Sequence, residues 1–505
     1  MIAYQVRDPL LSQYTYLVAA DDSDAAIVID PECDIERYEE EAARHGLHIV
    51  AVFETHVHSD FLSGLRGFAE RGIPVYASDA AAPSLRYEWL LDSAYTYHLL
   101  TDGDAVTVGG LTVEAMHTPG HTPEHLCYLL YEDDTAQPLA VATGDFLFVG
   151  GTGCLQTNGD AGPEAHDASA HRAGGGSPLG PPGPTADAET SAGTPDAAAP
   201  DDAAPPSYAE SGIAPALVQR IRRLPSSTHV WPLHSAGTLC GYAPSNWPVS
   251  TVWRECKTNP FLSDAPPDAP DHAIRGAPTP PPYFARIRKR NRTDPPTVCT
   301  PPDPPWLSPE ALAACLTEED NVFLDIHASP SVFADGHLLG ALHLPYTEAF
   351  LRLAGTYVPP KATLYLIVDD DHAEDPSFIL QALARIGLTS VEGLFPRRLL
   401  TSLPPWTRVR LPTVRDAYLM GLAQHPGVML LDVRMPAEYT CEHVPGSVNV
   451  PYTQLPRSTQ AVPDDAIVIV HGGSEAETTA AAAYLQRQGY DVGRAVARPR
   501  VAVQE

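Results

Sequence analysis

The stretch His56-Val57-His58-Ser59-Asp60 places two imidazoles and a carboxylate within five residues. It follows an apolar run at residues 49–53, which predicts a buried strand. Histidines two positions apart at a strand end can direct their rings at one point. Imidazole nitrogens and carboxylate oxygens are common metal ligands. The stretch therefore predicts a metal site where this strand ends.

Two later segments end in the same kinds of side chain. His121 closes the turn Thr118-Pro119-Gly120-His121, and Asp145 follows a second apolar run at residues 139–142. Together with the first stretch they supply two imidazoles and one carboxylate from separate strand ends, a 2-His-1-carboxylate metal-ligand set. The three segments therefore predict one metal site.

In order and composition these segments resemble the metallo-β-lactamase superfamily. That family carries His-x-His-x-Asp-His, a His in a Pro-Gly-His turn, a Gly-Asp pair and a late His, and the resemblance covers roughly residues 1–260. The counterparts here are His56/His58/Asp60, His121, Asp145 and His234. Phe61 stands where dinuclear members have a His, and a phenyl ring cannot bind metal. The resemblance therefore implies one metal ion rather than two.

Within that superfamily the motifs are most similar to the persulfide dioxygenases that are fused to rhodanese domains. The segments that carry this similarity are 54–64, 117–125 and 143–150. The resemblance implies one Fe(II) per chain, with zinc as the alternative, bound by His56, His121 and Asp145 as the catalytic centre. It also implies oxidation of glutathione persulfide or a similar thiol persulfide by O₂ to sulfite. His58, Asp60 and His234 would then lie beside the ligands or line the substrate site. Other histidines are expected to be structural: His117, His125, His229 and His337.

Two departures from the family's pattern keep other functions open. Cys154 and Gln156 replace the Arg and Asp of a Gly-Arg-x-Asp element, and Leu233 replaces the Gly before the late His. One alternative is a metal-dependent thioester hydrolase of the glyoxalase II type, whose chemistry usually needs two metal ions. The other is a non-catalytic regulator of the sulfur response that keeps the folds and has lost turnover.

The chain divides by composition. Residues 1–262 alternate strand and helix patterns and are predicted to form an αββα sandwich. Within them, residues 157–212 are rich in Ala, Pro, Gly, Ser and Asp, which predicts a disordered insertion. Residues 263–305 are predicted to be a Pro-rich linker. Residues 306–400 and 411–505 look like two copies of a doubly wound α/β unit. The second copy closely resembles a rhodanese domain, and the first resembles one more weakly.

Neither copy retains the rhodanese nucleophile. An active rhodanese carries a Cys in the loop after its central strand, where backbone N–H groups and a helix N-terminus hold the persulfide. In the second copy Gly472 stands near the Cys position and Glu477 near that of the family's Arg. The matching loop of the first copy, residues 369–375, is rich in Asp and His. We predict that both domains are inactive.

The whole chain is acidic, with 63 Asp and Glu against 32 Lys and Arg among 505 residues and a net charge of −31. Such a surface disfavours binding to nucleic acid or anionic membranes. The eight cysteines form no Cys-x-x-Cys pair, so we expect neither a disulfide framework nor a zinc ribbon. No signal pattern or long apolar span is evident. The expected setting is cytoplasmic, with a small thiol persulfide and O₂ as partners; homo-oligomerisation stays open.

Overall fold

The protein is described here by a computed structural model. It describes residues 1–79, 85–91, 93–132, 135–154, 215–263, 277–301, 303–318, 320–369 and 375–496. The insertion predicted at residues 157–212 lies outside the described residues, as do residues 264–276 of the predicted linker.

The N-terminal domain contains two six-stranded sheets. The first has the strand order β1-β2-β3-β4-β5-β6, and the second has the order β14-β12-β10-β9-β8-β7. The strands of the first sheet are β1 (Ile2–Asp8), β2 (Gln13–Ala19), β3 (Ala25–Ile29), β4 (His48–Phe53), β5 (Val75–Ser78) and β6 (Tyr97–Leu100). The second sheet and a small ladder beside it contain β7 (Ala105–Val108), β8 (Leu111–His117), β9 (Leu126–Glu132), β10 (Ala140–Gly144), β11 (Thr152–Gly153), β12 (His229–Pro232), β13 (Gly241–Tyr242) and β14 (Ser250–Thr251).

Helices cover the outer face of each sheet. They are α1 (Glu36–Arg44), α2 (Leu65–Glu70), α3 (Pro215–Arg222) and α4 (Val252–Thr258). Between the sheets, side chains such as Val18, Ile29 and Phe53 pack against Val113 and Tyr128 of the opposite sheet. Separate apolar clusters lie beneath the helices. This arrangement is the predicted αββα sandwich.

A helix within the predicted linker joins the metal domain to the C-terminal half. Helix α5 (Tyr283–Thr293) buries Tyr283, Phe284, Ile287 and Asn291. The Asn291 amide donates to the carbonyls of His58 and Phe61, at 2.9 and 2.8 Å, and its oxygen accepts from the Ser63 N–H at 2.9 Å. The segment 283–293 is therefore a packed element that holds the loop after β4.

The two C-terminal units share one sheet topology. The first sheet has the order β17-β15-β18-β19 and the second β21-β25-β24-β22-β23. Four strands correspond in chain order: β15, β17, β18 and β19 in the first unit, and β22, β23, β24 and β25 in the second. In both units the first of these four strands lies between the second and the third. The strands are β15 (Asn321–Asp325), β16 (His337–Leu338), β17 (Leu342–His343), β18 (Thr363–Val368), β19 (Val391–Pro396), β20 (Arg408–Val409), β21 (Thr413–Arg415), β22 (Val428–Asp432), β23 (Val448–Asn449), β24 (Ile467–His471) and β25 (Val492–Val496). The helices are α6 (Pro309–Cys315), α7 (Pro330–Asp335), α8 (Phe350–Tyr357), α9 (Ser377–Arg385), α10 (Leu419–Leu422), α11 (Pro436–Cys441) and α12 (Glu475–Arg487).

The segment 414–421 is predicted to open the second unit as a helix, and it does so only in part. Residues 413–415 form strand β21, which pairs in parallel with β25. A 3-10 helix over Asp416–Tyr418 then leads into α10 at Leu419. The β-branched residues Thr413 and Val414 suit this edge pairing, which periodicity within the segment does not indicate.

The cysteine prediction is wrong. Cys33 and Cys299 form a disulfide with their Cα atoms 5.4 Å apart. The bond links the loop before α1 to the segment that leads into the first C-terminal unit. Within the part of the chain that the structure describes, no helix is long and apolar enough to cross a membrane.

Candidate metal centre

Three strand ends bring His56, His121 and Asp145 together. His56 follows β4, His121 lies in the turn between β8 and β9, and Asp145 follows β10 directly. The Nε2 atoms of His56 and His121 lie 3.7 and 3.3 Å from Asp145 Oδ2. One possible ligand atom from each residue lies within 4.8 Å of the others, and all three side chains are buried. Two imidazoles and a carboxylate thus converge on one buried point.

Hydrogen bonds leave the right atoms of these residues available to a metal ion. His121 Nδ1 is 2.8 Å from the Cys154 carbonyl, which can only accept, so this nitrogen carries the proton. His56 Nδ1 lies 3.0 Å from Thr55 Oγ1, whose own proton goes to Asp30. Both Nε2 lone pairs are thereby left free, as in ligating histidines. Among the residues that the structure describes, His121 Nε2 and Asp145 Oδ2 are buried without a hydrogen-bond partner, so this donor set fits a bound cation.

Burial keeps both imidazoles neutral. Desolvation lowers the pKa of His56 well below its usual value and also lowers the pKa of His121. A neutral imidazole has the lone pair that metal ligation requires. The protonation states therefore agree with the hydrogen bonds.

His125 positions the backbone of Asp145 through a hydrogen bond. Its Nε2 accepts from the Asp145 backbone N–H at 3.1 Å, and its Nδ1 lies 2.9 Å from Thr118 Oγ1. Gly144 gives the chain room at this point, because a Cβ there would lie 2.5 Å from His125 Nε2 and the residue has φ +50°. The structural role predicted for His125 is consistent with these contacts.

His58 is turned away from the three converging side chains. Its Nε2 lies 3.2 Å from Asp30 Oδ1 and 3.5 Å from Glu54 Oε1. The Phe61 ring stacks on it, with centroids 4.4 Å apart. Burial alone would lower the pKa of His58, but Asp30 and the nearby carboxylates raise it to about 9. Phe61 therefore occupies space beside the site as well as lacking a ligand atom.

His234 bridges two carboxylates. Its Nδ1 lies 2.7 Å from Asp145 Oδ1, and its Nε2 lies 2.9 Å from Asp60 Oδ2. The contact leaves Asp145 Oδ2 directed at the two other proposed ligands. His234 and Asp60 thus lie next to the converging residues; which residues bind metal and which line a substrate site stay predictions.

Cys240 is a further candidate ligand that no sequence motif indicates. Strands β11 and β13 pair Gly153 with Gly241, and the Cys154 N–H donates to the Cys240 carbonyl at 2.5 Å. This pairing brings Cys240 beside Asp60 and His234, and the three offer ligand atoms within 4.8 Å of one another. No spacing in the sequence signals it, because Cys240 lies in a loop with no motif of its own.

The loop of the second C-terminal unit has no room for a thiol at residue 472. Gly472 has φ +79°, and a Cβ there would lie 2.5 Å from Asp432 Oδ1. Its neighbour Glu477 accepts from the Ser474 N–H at 2.8 Å and pairs with Arg352 of the first unit at 3.2 Å. The corresponding loop of the first unit, apart from Asp369, lies outside the described residues up to residue 374.

Comparison with known proteins agrees with this architecture. Residues 8–189 match the family model of the metallo-beta-lactamase superfamily, and residues 416–496 match that of the rhodanese-like domain. A metallo-beta-lactamase structure from Staphylococcus aureus is 25% identical with a TM-score of 0.60, and the match covers 78% of this chain and 99% of that one.

Two further relatives are similar over shorter lengths. The probable polyketide biosynthesis zinc-dependent hydrolase BaeB of Bacillus velezensis is 29% identical over 31% of this chain, and the chain spans 63% of that relative's length. The structure of ETHE1 from Myxococcus xanthus is 24% identical with a TM-score of 0.38, over 58% of this chain and 98% of that one. With the family matches and the geometry above, the chain contains a metallo-β-lactamase domain followed by a rhodanese-like domain.

Proposed function

We propose that this protein is a persulfide dioxygenase with one Fe(II), which oxidises glutathione persulfide or a similar thiol persulfide to sulfite. The observation that carries the proposal is the convergence of His56, His121 and Asp145 on one buried point, while Phe61 stacks on His58 and offers no ligand atom. A facial set of two imidazoles and one carboxylate leaves cis positions open and is typical of non-haem Fe(II) oxygenases. The net reaction takes a persulfide, O₂ and water to the thiol, sulfite and two protons.

The chain's residues would bind and orient the reactants. Iron, when bound, supplies the redox chemistry that joins O₂ to the terminal sulfur. Cys154 and Thr55 fix the ring orientations of His121 and His56 through the hydrogen bonds described above. His234 holds Asp145 from the opposite side. Burial of all four side chains excludes water from the reacting sulfur.

The test is metal analysis together with an oxygen electrode. We expect one iron per chain after expression with iron, O₂ uptake that depends on glutathione persulfide, and stoichiometric sulfite. His121→Ala serves as the control that should lose both iron and uptake. Two zinc ions per chain, without persulfide-dependent uptake, would contradict the proposal.

A zinc-dependent hydrolase is the second candidate. It is favoured by the group Asp60, His234 and Cys240, which could hold a second ion, and by similarity to a relative named as a zinc-dependent hydrolase. In that case Cys240→Ala should lower the bound metal from two ions to one and abolish thioester hydrolysis. Under the dioxygenase proposal the same variant keeps its single iron.

We further propose that residues 306–400 form a second rhodanese-like domain and that neither C-terminal domain transfers sulfur. The shared strand order of the two sheets supports the first statement. The absence of a Cys from residues 369–375 and 471–478 supports the second.

A further inference from the structure

Two cysteines face each other at the end of the ladder that β11 forms with β13. The two strands are antiparallel, with Gly153 opposite Gly241. The next pair in this register is Cys154 and Cys240, and the Cys154 N–H donates to the Cys240 carbonyl at 2.5 Å. Directly opposed residues of antiparallel strands direct their side chains to the same face. The register therefore places the two cysteine side chains next to each other.

The spacing of these strands suits a disulfide. Opposed Cβ atoms of antiparallel strands lie about 4.5–5.5 Å apart, and a disulfide needs about 3.5–4.5 Å. Gly153 and Gly241 let the two backbones approach closely beside the cysteines, because a Cβ on Gly241 would lie 2.4 Å from the Gly153 Cα atom. Cys154 and Cys240 are both thiols in this structure. Bond formation therefore requires the end of β11 to move by about 1 Å toward β13.

The two thiols differ in exposure. Cys240 is 2% exposed, whereas Cys154 is half-buried and its Sγ lies 3.7 Å from the Pro278 carbonyl oxygen. Burial, and then the carboxylates of Asp60 and Asp145, raise the pKa of the Cys240 thiol well above its usual value. A reagent from solution therefore reacts with Cys154 first. The position of Cys240 beside it favours a second, intramolecular step.

The end of strand β11 also contacts two of the proposed metal ligands. The Cys154 carbonyl accepts from His121 Nδ1 at 2.8 Å, and the Gly153 N–H donates to the Asp145 carbonyl at 2.9 Å. A Cβ on Gly153 would lie 2.8 Å from His121 Nδ1, so the strand and the imidazole are in close contact. A shift of this strand end therefore moves the acceptor that orients His121.

We infer that Cys154 and Cys240 form a reversible cross-strand disulfide that controls how firmly the metal domain holds its ion. The oxidant is a low-molecular-weight disulfide, RSSR. The Cys154 sulfur attacks one sulfur of RSSR, which gives a mixed disulfide and releases RSH. The Cys240 sulfur then attacks the Cys154 sulfur, which closes the cross-strand bond and releases a second RSH. The two cysteine sulfurs are oxidised, RSSR is reduced, and each cysteine proton leaves on RSH.

The oxidised pair holds the Cys154 carbonyl away from its place beside His121, and the metal ion is bound more weakly. A reducing thiol such as glutathione reverses the bond and restores the contact. Cys154 stands where the resembled family has an Arg, so this control is a feature of the present chain. The inference does not depend on which substrate the metal domain takes.

Glutathione disulfide, added to the full-length protein loaded with one equivalent of zinc, tests the inference without turnover. Mass spectrometry of the digested protein should find Cys154 joined to Cys240. Exposed Cys441, on helix α11, is the internal control and should carry only a glutathione adduct. Zinc retention against a graded chelator should fall by roughly tenfold or more, since a hydrogen-bond partner of a ligating histidine contributes about 10–100-fold to metal affinity.

Two serine variants separate the roles of the thiols. Cys240→Ser should stop at a glutathione adduct on Cys154. Cys154→Ser should leave the buried Cys240 unmodified and should retain zinc equally before and after treatment. In the unmodified protein, an adduct on Cys154 in place of the cross-strand bond would overturn the inference, as would zinc retention that oxidation does not change. An equal fall in zinc retention in Cys154→Ser would also overturn it, because another thiol would then be responsible.

Discussion

Thr55 shows how a single hydroxyl can set the chemistry of a neighbouring imidazole. Its Oγ1 donates to the buried Asp30 carboxylate and therefore accepts from His56 Nδ1. The tautomer that results directs the His56 Nε2 lone pair at the same point as His121. Residues outside the proposed ligand set thus fix which atoms of that set can bind.

His121→Ala should abolish metal binding, whereas His125→Ala should retain a weakly held ion. His121 Nε2 has no hydrogen-bond partner in the described part of the chain, whereas both nitrogens of His125 are used by Asp145 and Thr118. Loss of such a supporting contact lowers metal affinity by roughly 10–100-fold. Metal content after dialysis against graded chelator measures both effects. Equal loss in the two variants would mean that His125 is itself a ligand.

Local sequence pattern places His56, His121 and Asp145 at strand ends, because each follows an apolar run or a Pro-Gly turn. It does not show that they meet: β4 belongs to the first sheet and β8 and β10 to the second, so the packing of the two sheets brings the three side chains together. Local sequence pattern does not indicate Cys240, which lies beside Asp60 because β11 pairs with β13. That pairing depends on tertiary packing across the long segment between the two strands.

Among the secondary-structure elements, helix α5 holds the loop after β4 in place through hydrogen bonds of Asn291. Asn291→Leu should destabilise the metal domain by about 3 kcal/mol, because two buried carbonyls and one N–H lose their partner. Urea unfolding followed through the metal domain measures the loss. The control is Lys289→Ala, an exposed position on the same helix. A midpoint shift no larger than that of the control would show that solvent replaces these bonds.

The loop after β24 should not support sulfur transfer. We expect no thiosulfate:cyanide sulfurtransferase activity from the unmodified protein. Gly472→Cys should not create any, even with Glu475→Gly and Glu477→Arg, because Gly472 has positive φ and its Cβ would overlap Asp432. A cyanide-dependent thiocyanate assay checks each protein. Activity that survives His56→Ala would reveal a nucleophilic cysteine elsewhere in the chain.

The junction between the domains depends on a buried ion cluster. Arg385, at the end of α9, pairs with Asp8, Glu32 and Asp34 of the metal domain at 2.5, 3.1 and 2.7 Å. Its backbone carbonyl also accepts from the Leu62 N–H at 2.7 Å. The first C-terminal unit and the metal domain are therefore bound at one desolvated contact.

Arg385→Met should cost about 3–5 kcal/mol, since the buried Asp8, Glu32 and Asp34 all lose this counter-charge and Arg37 still pairs with the last two alone. Scanning calorimetry should then resolve separate transitions for the two parts of the molecule. Adding Asp34→Asn to Arg385→Met should recover part of the loss, because one fewer negative charge then depends on the missing guanidinium. A single unshifted transition in Arg385→Met would show that the cluster does not join the domains.

The sandwich and the α/β layout of both C-terminal units follow from local periodicity in the sequence. The junction does not, because Asp34 and Arg385 are 351 residues apart and neither belongs to a motif. Charged residues are usually solvated, so the burial of this cluster is set by packing of whole elements rather than by neighbouring sequence. The Cys33–Cys299 disulfide was not predicted for the same reason, since the packing of elements distant in sequence brings the two cysteines together.

That disulfide turns part of the polypeptide into a covalent circle. The two cysteines are 266 positions apart in sequence, and the circle includes positions 155–214. The strands before Cys33 and both C-terminal units lie outside the circle. A protease that cuts the backbone once inside the circle leaves a single covalent molecule, which separates into two pieces only when a reductant is added. A cut after residue 299 gives two pieces under denaturing conditions even without reductant. Denaturing gels run with and without reductant would therefore show whether a cut lies inside or outside the disulfide-closed circle. A cut inside the circle leaves the two parts of the oxidised chain covalently joined.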